Sequence, residues 1–342
     1  MMPVKAVLLA SIRLVTASHR LIGPHLPLAG GLLRAAQRAK QIGASTIQVF
    51  TDNPTAWRRR AAPAAELTEF RARLAAAGIG PMTVHAPYLV NLCGANDDFW
   101  ERSVKTMANE LVVGREFGAS FVVMHIGSHR SLERETGIER LVRGLAAVLV
   151  EADASVESVG GDRAGGGALP RLVLENAAGT GDGIGSSLED LADIMSAAAA
   201  RGLPLDRLGL CLDTAHLWGA GYDIGDSARL DRFVDRAERL IGRDAVAVLH
   251  LNDSRTELGS RLDRHQHIGA GRIGRGGLRD LLNHPWLGSL PTYLETPGME
   301  AGYDAINLER ALLLADDQAL PELPAEAFQM RRQTAQTGPP DG

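Results

Sequence analysis

The chain has 342 residues, 45% of them hydrophobic and 23% charged, a balance that excludes disorder as the main state and leaves room for one large core. No run approaches the roughly 20 apolar residues of a bilayer span, and two cysteines, Cys93 and Cys211, are too few for a disulfide scaffold or a thiolate zinc site. A formal net charge of −5 argues against nucleic-acid binding through bulk positive charge.

The apolar stretch 6–12 stops at Arg13 and is too short for a signal peptide, so a cytoplasmic protein with no membrane partner is expected. From there, short β-branched apolar runs alternate with longer Ala- and Leu-rich amphipathic segments, the pattern of βα units. In chain order, strands are expected at 21–26, 46–50, 82–85, 121–125, 171–175, 208–213, 245–250 and 292–295. Helical segments at 31–42, 64–77, 101–117, 188–201 and 230–241 fall between them. Eight such pairs predict an α/β fold, a single (β/α)8 TIM barrel over residues 21–316. Segment 155–170 is too glycine-rich for a core element and reads as a flexible insertion between the fourth helix and the fifth strand, on the face away from the chemistry. The extension 1–20 and the tail 317–342, rich in Pro, Gln and Ala beyond Leu320, are expected to be poorly ordered.

What ends each strand is the informative feature. Strand three ends in His85, four in His125, five in Glu175, six in Asp213, seven in His250 and eight in Glu295. In a parallel barrel these ends open onto one face, so six metal-competent side chains converge there. His216 follows Asp213 closely enough to reach the same mouth. Asp263 and His265, one residue apart, point the same way in an extended segment while Arg264 points opposite, towards a phosphate. A lone His or Glu at a strand end is more often a hydrogen-bonded residue than a ligand. The set is different, because isolated carboxylates after apolar strands would each cost about 3–5 kcal/mol of desolvation unless paired or metal-bound. Imidazole and carboxylate without thiolate suit zinc, with manganese or iron as substitutes. Cys211 reads as a buried small hydrophobe, His129 as a loop-orienting or phosphate-contacting residue, and the runs 269–271 and 183–185 as weak matches to phosphate loops. His19 and His284 show no partners in the sequence.

At these residues the sequence resembles the endonuclease IV family of apurinic/apyrimidinic endonucleases, AP endonuclease family 2. The resemblance runs from about Leu21 to about Leu313 in one motif order: Val84-His85-Ala86-Pro87-Tyr88-Leu89, His125-Ile126-Gly127-Ser128-His129, Leu174-Glu175-Asn176-Ala177-Ala178-Gly179, Cys211-Leu212-Asp213-Thr214-Ala215-His216, Ala220-Gly221-Tyr222-Asp223-Ile224, His250-Leu251-Asn252-Asp253-Ser254, the run 259–265 ending Asp263-Arg264-His265, and Leu294-Glu295-Thr296-Pro297. It implies a barrel with three zinc ions that hydrolyses duplex DNA 5′ to abasic sites and leaves a 3′-hydroxyl. Carried over, His85, His125 and Glu175 hold the first ion. Glu175 bridges to a second held also by Asp213, His250 and Glu295, and His216, Asp263 and His265 hold the third. Glu175 and Glu295 are the expected catalytic carboxylates, Glu295 steering or deprotonating the nucleophile. Tyr88 and Leu89, expected to stand exposed at the rim with no packing role, are the expected wedge at the lesion, with Asn53 and Arg264 as further DNA contacts. Three positions depart from the family: Thr55 stands where an arginine is common, Ala270 where a glutamate is, and Ile126 where a proline is.

Three Zn2+ ions would turn the formal charge from −5 to +1, concentrated at the mouth beside Arg58, Arg59, Arg60, Arg261, Arg264, Arg272 and Arg275, which answers the charge objection. The rival expectation is a xylose-isomerase-like sugar isomerase or epimerase, which needs a core comparable to Glu175, Asp213, His250 and Glu295 but has no use for the other five ligands. A metal-bound reader of damaged DNA that does not cut is a third. A monomer is expected.

Overall fold

The computed structural model describes residues 20–57, 62–158 and 167–329. Eight parallel strands form the barrel: β1 (Ile22–Pro24), β2 (Ile47–Phe50), β3 (Met82–His85), β4 (Phe121–His125), β5 (Arg171–Glu175), β6 (Leu208–Asp213), β7 (Val246–His250) and β8 (Thr292–Leu294). They neighbour one another in the order β1-β8-β7-β6-β5-β4-β3-β2. A parallel bridge between His25 and Gln48, with the Leu26 N–H donating to Gln48 O at 2.7 Å, joins the two ends. The helices are α1 (Leu32–Ile42), α2 (Ala64–Ala76), α3 (Asp97–Phe117), α4 (Arg134–Ser158), α5 (Leu188–Ala200), α6 (Thr214–Gly219), α7 (Ser227–Leu240), α8 (Gly274–Asn283) and α9 (Tyr303–Ala315). This is the single-domain TIM barrel the βα alternation predicts.

Strand periodicity divides the core in two. Residues facing the helices, such as Val84, Val122, Met124, Leu172, Leu174, Leu210, Leu212 and Leu294, join one continuous shell with the apolar helix faces. Val123, Val173, Cys211, Ala247, Val248 and Tyr293 form a separate cluster in the lumen. That cluster is a floor: along β4, β5 and β6 the next inward position above it is His125, Glu175 or Asp213, the last residue of its strand. Cys211 is accordingly a buried member of the lumen, its thiol pushed up to about 12 by burial.

Differences from the sequence expectation have local causes. Helix α3 begins at Asp97 rather than 101, because Asn96 caps it by accepting the Phe99 N–H at 2.9 Å and two aspartates occupy the first turn. Asp226 likewise starts α7 early by accepting from Arg229 N. Helix α4 runs through Ser158, so the first four residues of the expected flexible insertion are helical; none of these four is a glycine or proline that would break the helix. Gly167, at its far end, accepts from Arg115 Nε at 2.6 Å; the rest of the insertion, 159–166, lies outside the described residues, as do 1–19 of the extension. The tail is corrected further: Leu320 and Ala327 are buried, 325–329 forms a 3-10 turn, and Ala327 O meets His267 Nε2 at 3.0 Å. Apolar burial fixes this segment against the barrel, whereas 330–342 lie outside the described residues.

Candidate metal centre

The strand ends meet as parity requires. His125 is in register with Glu175, and Asp213 with His250, so each pair sits side by side on neighbouring strands. The loops add the rest. Asp213 caps α6 by accepting the His216 N–H at 2.8 Å, which turns His216 back over the mouth. A two-residue antiparallel ribbon pairs Asp253–Ser254 with His265–Gln266 and brings His265 inward. Asp253 anchors that loop, its carboxylate accepting from Gly271 N at 2.8 Å and Ile273 N at 3.0 Å. Gly127 lets the chain turn after His125: φ is 101°, and a Cβ there would lie 2.4 Å from Asn91 Oδ1.

Three metal-competent groups result: His85, His125 and Glu175; Glu175, Asp213, His250 and Glu295; and Asp213, His216 and His265, with ligand atoms in each within 4.8 Å of one another. Glu175 belongs to the first two and Asp213 to the last two, so the groups form a connected chain. Asp263 joins the third through His265 Nε2 at 3.1 Å and His216 Nε2 at 3.5 Å. All nine expected ligand residues therefore lie at one mouth. The spacing suits an ion: ligands about 2.0–2.2 Å from a tetrahedral centre stand about 3.3–3.6 Å apart. His85 Nε2 is 3.2 Å and His125 Nε2 3.4 Å from Glu175 Oε2.

Charge favours cations just as strongly. Glu175, Asp213 and Glu295 place carboxylate oxygens within 4.8 Å of one another, a repulsion of about 3 kcal/mol per pair at an effective dielectric of 20. Burial alone would raise the Glu175 carboxyl, yet the imidazoles of His250 and His125 hold it well below the usual range. Burial likewise works against charge on His216, but Asp213 and Asp263 outweigh it and push the ring up to about 10. The site collects positive charge in whatever form is supplied, proton or metal.

Several residues that hold these side chains were not singled out in the sequence, although Asn176 and Asn252 lie inside the motifs. Asn252 donates to Asp213 Oδ2 at 2.6 Å and accepts from Glu295 N at 2.8 Å; Asn176 accepts from Asp213 N at 2.6 Å. His25 and Gln48, both buried, touch Glu295. A glutamine in the middle of the short apolar strand β2 was the available clue, since a buried amide must find partners.

The expected DNA contacts are at the rim. Tyr88 is half-buried rather than exposed, and it has a packing role: its ring lies 5.3 Å from Phe50, 5.7 Å from His85 and 5.6 Å from His125. Leu89 beside it is half-buried as well. Asn53 is exposed and accepts from both Thr55 N and Thr55 Oγ1, so Thr55 ties down this turn. Arg264 is exposed, with Nη1 on Asp263 O at 2.7 Å. Arg272 pairs with Glu257, and Arg58, Arg59 and Arg60 lie outside the described residues. His129 binds Leu132 O and takes no part in the three groups; His284 Nδ1 accepts from Trp286 N and Leu287 N.

An eight-stranded parallel barrel with a chain of His and carboxylate groups at its C-terminal mouth defines a metal-competent TIM barrel of the xylose isomerase type, and residues 36–320 match the family model described as "Xylose isomerase-like TIM barrel". Within that class, the chain is 35% identical over 292 residues to the "Probable endonuclease 4" of Halothermothrix orenii, covering 84% of this chain and 99% of that protein. The crystal structure of endonuclease IV from Thermus thermophilus superposes with a TM-score of 0.73 at 36% identity, covering 87% of this chain and 99% of that one. A D-tagatose 3-epimerase-like protein shares the fold alone, with a TM-score of 0.56 at 16% identity. The chain belongs to the endonuclease IV family.

Proposed function

We propose that this protein is a zinc-dependent DNA repair endonuclease that hydrolyses the phosphodiester 5′ to abasic sites in duplex DNA and leaves a 3′-hydroxyl. The observation that carries this reading is the linked chain of three metal-competent groups. His85, His125 and Glu175 would hold the first zinc, Glu175, Asp213, His250 and Glu295 the second, and His216, Asp263 and His265 the third, with manganese or iron as substitutes. Bound zinc supplies charge neutralisation at phosphate and brings a water pKa down to about 7.

The two expected catalytic carboxylates divide the work by exposure. Glu175 is 0% exposed and is surrounded by imidazoles, so it serves as the bridge. Glu295 is 11% exposed, with Oε2 on the site side 3.6 Å from His250 Nδ1, so it would steer the incoming nucleophile. Tyr88 and Leu89, on the rim beside the first group, would replace stacking lost when a nucleotide is turned out, a step costing roughly 2–4 kcal/mol. Asn53 and Arg264 would meet phosphates. The partner is duplex DNA, acted on by a cytoplasmic monomer; among the described residues no helix is long and apolar enough to cross a membrane. A sugar isomerase would leave His85, His125, His216, Asp263 and His265 idle.

The test is incubation with a duplex carrying one tetrahydrofuran abasic analogue, with and without chelator. A single nick 5′ to the analogue, extendable by a polymerase and abolished by chelation, is expected; no nick from zinc-loaded protein refutes the reading.

A further inference from the structure

Each histidine at the mouth has a second ring nitrogen, and what that nitrogen meets decides which one faces the site. His85 Nδ1 lies 2.7 Å from Ala86 O, His216 Nδ1 2.8 Å from Asn176 O and His265 Nδ1 2.9 Å from Glu295 O. A carbonyl only accepts, so these rings carry hydrogen on Nδ1 and offer Nε2 inward. His250 is turned the other way. Its Nδ1 faces Glu175 Oε1 at 3.2 Å and Glu295 Oε2 at 3.6 Å, and its Nε2 meets Gln48 Oε1 at 2.9 Å. The partner here is a side chain from β2, on the far side of the barrel closure.

The other end of the same amide is also engaged. Gln48 Nε2 lies 2.7 Å from Glu295 Oε1 and 3.0 Å from His25 Nδ1, and the residue is 0% exposed. The Glu295 carboxylate fixes the orientation: turned over, the amide oxygen would abut a group that can only accept.

We propose that Gln48 is a positioning residue for the second metal group. One buried amide holds His250 with hydrogen on Nε2, so that Nδ1 is the ligand, and occupies Oε1 of Glu295, so that Oε2 faces the site; His25 takes the amide's remaining hydrogen. This rests on the reading of the mouth as a metal centre. Loss of such an outer partner lowers metal affinity by about 10–100-fold.

Two variants and one spectrum test it. Gln48→Met keeps the length of the side chain and removes all three bonds; Gln48→Glu keeps an acceptor for His250 and sets a like charge against Glu295. In chelator competition with zinc-loaded protein, Q48M is expected to weaken one of the ions about 10–100-fold and leave the others at wild-type affinity, with Q48E weakened at least as far. Q48M holding all its ions at wild-type affinity overturns the proposal. Long-range nitrogen–proton spectra of zinc-loaded wild-type protein need no variant: His250 is expected with hydrogen on Nε2 while His85, His216 and His265 carry it on Nδ1, and hydrogen on His250 Nδ1 overturns the assignment. Wild-type protein that takes up no metal in the same competition would instead refute the metal-centre reading itself.

Discussion

Replacing Glu175 by glutamine isolates the bridge, because the shape is kept and one charge is lost. The carboxylate is fully enclosed, with His85 Nε2 at 3.2 Å, His125 Nε2 at 3.4 Å, His216 Nδ1 at 3.3 Å and His250 Nδ1 at 3.2 Å. At about 3.3 Å a protonated imidazole attracts the carboxylate by about 5 kcal/mol at an effective dielectric of 20, whereas burial pushes the His125 ring down, so that it acts as a neutral partner. Desolvation offsets much of that, so breaking a buried pair of this kind costs about 3–5 kcal/mol. Metal content is the sharper readout: Glu175 serves two of the three groups, so E175Q is expected to lose the first two ions and keep the third on His216, Asp263 and His265. Elemental analysis after dialysis measures this, beside nicking of an abasic duplex, which is expected to fall by at least about 10³-fold, the rate equivalent of about 4 kcal/mol. Wild-type metal content in E175Q would refute the shared-ligand geometry, whatever happened to the rate.

Changing Tyr88 and Leu89 together to Ala should cut nicking of abasic duplex strongly with zinc content unchanged; unaltered nicking would remove them from lesion engagement. Because Tyr88 packs on Phe50 and His85, a modest drop in melting temperature should accompany it. The His216 ring, pushed up to about 10 in the folded chain from an ordinary 6.5, contributes stability to the metal-free protein that is complete below the unfolded value and lost as pH rises through the folded one, so metal-free melting temperature should fall between these values. The same shift means zinc uptake near neutral pH releases protons, visible as a buffer-dependent heat in calorimetry. Ending the chain after Asp317 removes the Leu320 and Ala327 contacts and the partner of His267 Nε2, and should lower stability by about 2–4 kcal/mol, read from urea unfolding.

The barrel was legible because its signal is repeated: βα alternation recurs along the chain, and strands such as 121–125, 171–175 and 208–213 fall where expected. The convergence of the candidate ligand residues was legible for a related reason. In a parallel barrel the last inward residue of every strand must face one mouth, so parity plus strand ends lead to His125, Glu175 and Asp213 without tertiary knowledge. What stayed hidden depends on pairs distant in sequence. Gln48 acquires its role only when barrel closure brings it against His250 and Glu295, and Ala327 only when the tail lies over His267. Tyr88 was misjudged as exposed for the same reason, since the residues it packs on come from three strands. The Asn96 cap lies ahead of the apolar period of α3, which is why periodicity alone places the start of that helix late.

The number of ions decides the kind of substrate the mouth can accept. The second group alone, with Glu175, Asp213 and Glu295, would remain at formal charge −1 around one divalent ion, a setting suited to a neutral sugar and repulsive to phosphate. Adding the first group brings another ion with no further carboxylate, because it reuses Glu175. The third brings one ion and only Asp263 as a new charge, because Asp213 is shared or adjacent. The loaded mouth would then stand at +2, inside a protein whose other residues are close to formal neutrality. Sharing carboxylates and adding imidazoles would thus convert a barrel of the isomerase type into one that draws in a phosphodiester. The histidines His85, His125, His216 and His265 would carry that change, since each can supply a ligand without supplying charge.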